Sequence, residues 1–189
     1  MLPRGLANPF SRPRSARRSY WQVTLLCQFV GIAPMATART WVVDQQGSGD
    51  YTAIQDAANA TADGDTILLY PGRYDEYRPY DFGALTESTC VVIERDNVTL
   101  RGVDRDAVII GPEFYRWTDP REPNRVGTSS VAADTRIENL TIENLVYGIV
   151  NFEGGLVRDV SVRGCREAIG VNPSSAVVFE RMVIESSRR

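Results

Sequence analysis

Histidine and lysine are both absent from this chain of 189 residues, so its 21 basic residues are all arginine. That double absence excludes a histidine general base, a Ser/His/Asp triad, a lysine Schiff base and a histidine-rich metal site. Cysteine is scarce, at three residues. The apolar stretch Trp21–Ala33 is interrupted by Gln22 and Gln28. It is too short to cross a bilayer comfortably, so no stable membrane anchor is expected.

Charge is spread unevenly along the chain. Residues 1–38 carry Arg4, Arg12, Arg14, Arg17 and Arg18 and no acid, which leaves the remainder at a net −8. An acidic body argues against nucleic acid as a partner, because phosphate binding needs a basic footprint. The first 38 residues read as an export signal, with small residues at Ala36 and Ala38 ahead of a cleavage point. Arg17 and Arg18 followed by Ser19 and Tyr20 loosely resemble a twin-arginine signal. The product would be secreted or held at the cell surface. The alternatives are a disordered basic leader, or a true start at Met35 and a cytoplasmic protein. Cleavage after Ala38 would leave Cys90 and Cys165, expected as free buried thiols.

The mature part, residues 39–189, repeats a phrase: RIENLTIENL, then LVRDVSVRGC, then VFERMVIESS. In register, Ile137, Val157 and Phe179 share a column, Leu140, Val160 and Met182 a second, and Ile142, Val162 and Ile184 a third. The offsets of 20 and 22 residues belong to a solenoid. Apolar residues alternate within each copy, as in strands with one buried face. Successive copies are too close for helical crossovers. The pattern therefore predicts an all-β chain, a right-handed parallel β-helix with about 20–22 residues per regular coil.

Upstream, VTLRGV (98–103) matches LTIENL (140–145) column for column, which makes Pro112–Ser130 an insertion. Thr52 and Gln55 form an S/T-x-x-E/Q capping box that opens a helix over Ala53–Ala60. That helix is placed to close the exposed end of the first coil. No comparable cap is legible at the other end. Truncation there is the expectation, with a partner or further coils covering the last strands.

The stretch GSGDYTAIQDAANATADGDTILLYPGRYDE resembles the opening of pectinesterases and of other secreted proteins of the pectin lyase-like superfamily. NVTLRGVDRDAVIIG looks like their second coil, and residues 136–187 like their generic repeats. The resemblance implies the β-helix fold and a carbohydrate-active setting. It carries no catalytic residue onto this chain. The pectinesterase G-x-V-D-F-I-F-G-like motif is absent, as are the polygalacturonase motifs that need His and Lys. Arg121-Glu-Pro-Asn-Arg125 falls one residue short of the pectate lyase R-x-P-x-x-R segment. No cofactor or metal is expected.

Two outward columns read Glu–Arg–Glu: Glu138, Arg158 and Glu180, then Glu143, Arg163 and Glu185. They are expected as cross-strand ladders rather than catalytic pairs. Asn139, Asp159 and Arg181, and Asn144, Gly164 and Ser186, occupy turn columns. The binding candidate is the insertion, where Phe114, Tyr115, Trp117 and Arg121 combine aromatic faces with a planar donor suited to sugar rings. Tyr74, Tyr77, Tyr80 and Phe82 could extend that surface.

Three readings stand at this stage. The first is a secreted β-helix protein that contacts extracellular polysaccharide through its loops, with no catalytic site identifiable. The second is the N-terminal fragment of a pectinesterase- or polysaccharide-lyase-like enzyme. The third is a structural surface protein or adhesin.

Overall fold

The structure is a computed structural model that describes residues 37–83, 85–114 and 124–185. The predicted leader lies outside these residues except for Thr37 and Ala38. Strands β1 (Thr40–Val43), β2 (Thr66–Leu69), β6 (Thr99–Gly102) and β9 (Thr135–Glu138) run parallel, and residues 155–158 and 176–180 continue this first wall. A second parallel wall holds β3 (Gly72–Tyr74), β7 (Val108–Ile110), β10 (Thr141–Glu143), β12 (Ser161–Arg163) and β14 (Val183–Glu185). The third wall pairs β5 (Thr86–Ile93), β8 (Arg125–Ser130), and residues 147–150 and 167–171. Beyond β5, β4 (Arg78–Asp81) adds an antiparallel hairpin strand.

Strands β11 (Tyr147–Arg158) and β13 (Glu167–Glu180) each serve two walls, and their pairing shifts register between Val150 and Gly154 where they pass from the third to the first. Gly155 makes that entry possible. Its φ is +123°, and a Cβ there would run into the carbonyl oxygen of Thr135. Each turn of chain therefore visits walls one, two and three around one core.

That core is stacked in rows. Ile67, Leu100, Ile137 and Val157 follow one another up the first wall, and Ile110, Ile142 and Val162 up the second. All are buried, and each such side chain contributes roughly 1.5–3 kcal/mol over leaving it in water. The column Ile137–Val157–Phe179 forms as the repeat predicts. Its turns form too. Asn139, Asp159 and Arg181 take the left-handed conformation between walls one and two, and Asn144 and Gly164 take it between walls two and three. The outward ladders form at their first step: Arg158 is bonded to Glu138 at 2.7 Å, and Glu143 lies 3.8 Å from Arg163 while also bonding Arg73 at 2.7 Å. Glu180 and Glu185 are register partners of Arg158 and Arg163.

Three expectations are corrected. The segment 98–103 does not lie over 140–145. Instead Leu100 pairs with Ile137, and Ile110 pairs with Ile142. Two short strands of one coil carry the same alternation, so either could be slid onto the repeat. The insertion is also shorter than 112–130, because Arg125–Ser130 is β8, a strand of the third wall buried from Val126 to Ser130. The sequence GTSS hides it, having neither the bulk nor the alternation of a strand.

Finally, helix α1 (Ile54–Ala60) does bury Ile54, Ala57 and Ala58 against the coil end, but its start carries no side-chain cap bond. Gln55 is used elsewhere. Its amide accepts from the backbone N–H of Val92 (2.7 Å) and donates to the carbonyl of Val92 (3.2 Å). The side chain thus stands in for a neighbouring strand where β5 has no partner on that side. At the same end, Asp65 accepts from the backbone of Arg39 (2.7 Å) and Ala62 (2.9 Å) and from the Trp41 indole (2.9 Å).

Candidate functional site

The two stems of the aromatic loop are fixed to one short piece of coil. Asn144 donates through Nδ2 to the carbonyls of Pro112 (3.0 Å) and Glu113 (2.9 Å), pinning the entry. At the exit, the carbonyl of Arg125 accepts from Val146, and that of Asn124 accepts from Ser88. Asn144 thus has a second task beyond turning the chain. Of the predicted binding residues, Phe114 stands at the entry stem and is 80% exposed. Tyr115, Trp117 and Arg121 lie outside the described residues.

The tyrosines of the preceding segment divide. Tyr74 is buried in the core, with its hydroxyl against the carbonyls of Tyr70 (2.8 Å) and Val43 (3.1 Å). Tyr77 is half-buried under the Arg125 guanidinium, 5.2 Å from its ring centroid, and burial raises its phenol above the ordinary value. Neither ring is available to a ligand. Tyr80 and Phe82 remain at the surface, with ring centroids 4.7 Å apart. Tyr80 donates to Glu94 at 2.6 Å, and that bond, then burial, pushes its phenol up to about 12.

Next to this aromatic pair, the tip of the β4–β5 hairpin faces the third wall across a groove of about 360 Å³. Phe82, Leu85 and Glu87 form the hairpin side. Tyr147, Val150, Glu167 and Gly170 form the wall side, where Tyr147 is the register partner of Glu167 and Val150 that of Gly170. Farther down the same row, Ser129 lies between Val150 and Val92 with a buried hydroxyl that has no hydrogen-bond partner. The loop exit at Asn124 and Arg125 adjoins the groove, since Ser88 follows Glu87 and Val146 precedes Tyr147.

The groove is absent from the sequence expectations. Tyr147 and Glu167 are 20 residues apart, one coil, and each follows the Leu145 and Cys165 positions by two residues. That spacing is the sequence signal for the wall side, and it lies beyond the second strand of each repeat. Glu87 and Leu85 carry no periodic mark at all.

Chemically, the groove offers two carboxylates, a phenol and apolar surface. Among the described residues no arginine lines it, and no group of three or more His, Cys, Asp or Glu is arranged to hold a metal ion. Cys90 and Cys165 are free. Burial pushes the Cys90 thiol up to about 12, which leaves it protonated and unreactive at neutral pH.

Two solved structures share this architecture. One is an alanine variant of a pectin methylesterase in complex with a hexasaccharide, with TM-score 0.54 and 19% identity over 79% of this chain and 50% of that one. The other is pectin methylesterase PemA from Erwinia chrysanthemi, with TM-score 0.53 and 17% identity over 80% of this chain and 50% of that one. This chain has the pectin lyase-like fold. The right-handed parallel β-helix is thereby established, and at such identities the likeness concerns the fold alone. The chain spans about half the length of both enzymes. No protein-family model and no curated protein matches its sequence.

Proposed function

We propose that this protein is a secreted β-helix that contacts extracellular polysaccharide through the third-wall groove and the aromatic loop beside it. The observation that carries the reading is the groove itself. It is a concave site where Phe82, tilted against the neighbouring Tyr80, meets the carboxylates of Glu87 and Glu167, beside the stems of a loop whose sequence holds Tyr115, Trp117 and Arg121. Sugar rings present apolar C–H faces to aromatics and hydroxyls to polar groups, so such a surface suits them. The hexasaccharide bound to a pectin methylesterase of the same fold supports a glycan as ligand.

Catalysis belongs to a second reading, in which this chain is the front part of a longer pectinesterase-like enzyme. Its support is that both matched enzymes are twice as long as the part that aligns. The two readings share the binding step. Glycan-array binding by the full chain, cut at least about tenfold in a Tyr115→Ala, Trp117→Ala double variant, is the expected result for a stacking surface of this kind. Absence of binding to every glycan on the array would leave a structural spacer instead.

A further inference from the structure

Three Asn-X-Thr tripeptides stand in the sequence, at Asn59-Ala60-Thr61, Asn97-Val98-Thr99 and Asn139-Leu140-Thr141. An asparagine so spaced from a threonine, with no proline between, is an acceptor pattern for N-linked oligosaccharide. The middle residues are all apolar, so sequence ranks the three alike. The fold does not. We infer that Asn97 is an N-glycan acceptor and that the fold closes the other two sites. The inference rests on the export part of the reading above, because the donor, a lipid-pyrophosphate oligosaccharide, meets its acceptors outside the cytosol.

The transferase has to reach the asparagine amide and the threonine hydroxyl together. At Asn139, Nδ2 donates to the carbonyl of Gly102 (2.8 Å), and Thr141 is buried with its hydroxyl donated to the carbonyl of Arg105 (2.8 Å). Asn59 sits in the last turn of α1, where its Oδ1 accepts from Gln55 (2.8 Å), and the buried Thr61 donates to the carbonyl of Ala58 (2.7 Å). Asn97 differs from both. It lies in the exposed turn between walls three and one, at φ +57°, with its backbone N–H held by the carbonyl of Ala133 (2.9 Å). A left-handed turn alone accounts for an asparagine, as Asn139 shows. Yet the Asn97 side chain makes no hydrogen bond among the described residues. Neither does Thr99, which faces outward beside the buried Leu100. Only here are both groups presented free. The turn follows the end of β5, whereas the groove residue Glu87 lies near that strand's start, so a glycan on Asn97 leaves the groove open. In the transfer, Nδ2 bonds to C1 of the donor sugar and gives up one proton to base. The C1–O bond breaks, and the lipid pyrophosphate leaves with its electron pair.

The test incubates the folded full chain with a purified single-subunit oligosaccharyltransferase and a lipid-pyrophosphate oligosaccharide. Glycosidase release in heavy-oxygen water and peptide mass mapping then locate the filled sites. Rates are normalised to synthetic peptides carrying the same three tripeptides. The expected result is Asn97 filled at least about tenfold faster than Asn59 or Asn139, which are reached only when the chain opens locally. Thr99→Val keeps the shape and removes the hydroxyl, and should abolish transfer to Asn97 with an unchanged circular dichroism spectrum. An unfilled Asn97 in the folded chain, Asn59 or Asn139 filled as fast, or transfer that persists in the variant would each overturn the inference. In cells with a glycosylating secretory pathway, chain recovered from the medium without sugar on Asn97 would overturn it and leave export standing. Chain retained in the cytosol would overturn export instead.

Discussion

Asp65 is buried at the capped end of the coil and accepts hydrogen bonds from three donors. Burial alone would raise its pKa, but the N–H groups of Ala62, Arg39 and Trp41 outweigh it and hold the carboxyl below the ordinary carboxylate value. The sign of the linkage follows. A depressed folded-state pKa stabilises the protein fully above the unfolded value near about 3.9, and that stability is lost as pH falls through the folded value. Asp65→Asn should therefore cost about 2 kcal/mol at pH 7. The deficit should shrink below about pH 4, as the wild-type carboxyl is neutralised. Urea unfolding of both proteins from pH 7 to pH 2.5 measures this. A deficit that stays constant across the range would assign the loss to packing. At the same scale, Arg181 occupies a left-handed position that favours Gly or Asn, with its guanidinium bonded to both oxygens of Asp159 at 2.6 and 2.7 Å. That exposed pair is of the weak surface kind.

Among the elements, the third wall differs from the other two. Where the first two walls stack Ile, Leu and Val, this one places Thr128 between Val91 and Ile149, buried and with no partner for its hydroxyl. Thr128→Val keeps the shape and removes the unsatisfied group, and should stabilise the protein by about 1 kcal/mol in chemical denaturation. A destabilised variant would mean that the hydroxyl has a partner after all. The same composition explains what could be read beforehand. Walls one and two follow from the RIENLTIENL pattern, because large apolar side chains at alternate positions mark a strand buried on one face. Wall three is legible only in part, through the 20-residue spacing of Tyr147 and Glu167. Gly127, Thr128, Ser129 and Ser130 fold as a strand because their neighbours β5 and β11 supply the pairing, a tertiary demand that local sequence does not carry. The groove shares that limit, since its hairpin side, Leu85 and Glu87, carries no periodic mark. The turn columns were legible, because Asn, Asp and Gly announce left-handed positions by residue type alone.

For the whole molecule, the two ends of the solenoid are unequal. At the first coil, helix α1 and β1 cover the core. At the other end, among the described residues, segment 176–180 and β14 have a strand neighbour on one side only, and Val178 and Ile184 are 54% and 55% exposed. Unpaired parallel strands with apolar side chains template further pairing. The chain should therefore associate with rising concentration in sedimentation velocity, and Val178→Lys should shift it toward the monomer. A concentration-independent monomer in both proteins would refute this.

The bond between Gln55 and Val92 makes one backbone proton a messenger for the whole cap. Strand amides elsewhere in the wall are protected by other strands, so their exchange with solvent requires the sheet to part. The amide of Val92 is held by a side chain of the capping helix, so it is released whenever that helix lifts, even if every strand stays paired. In hydrogen–deuterium exchange, Val92 should trade its proton faster than Val91, and Gln55→Leu should speed Val92 further while leaving Val91 unchanged. A single nitrogen would then time the opening of the molecule's closed end.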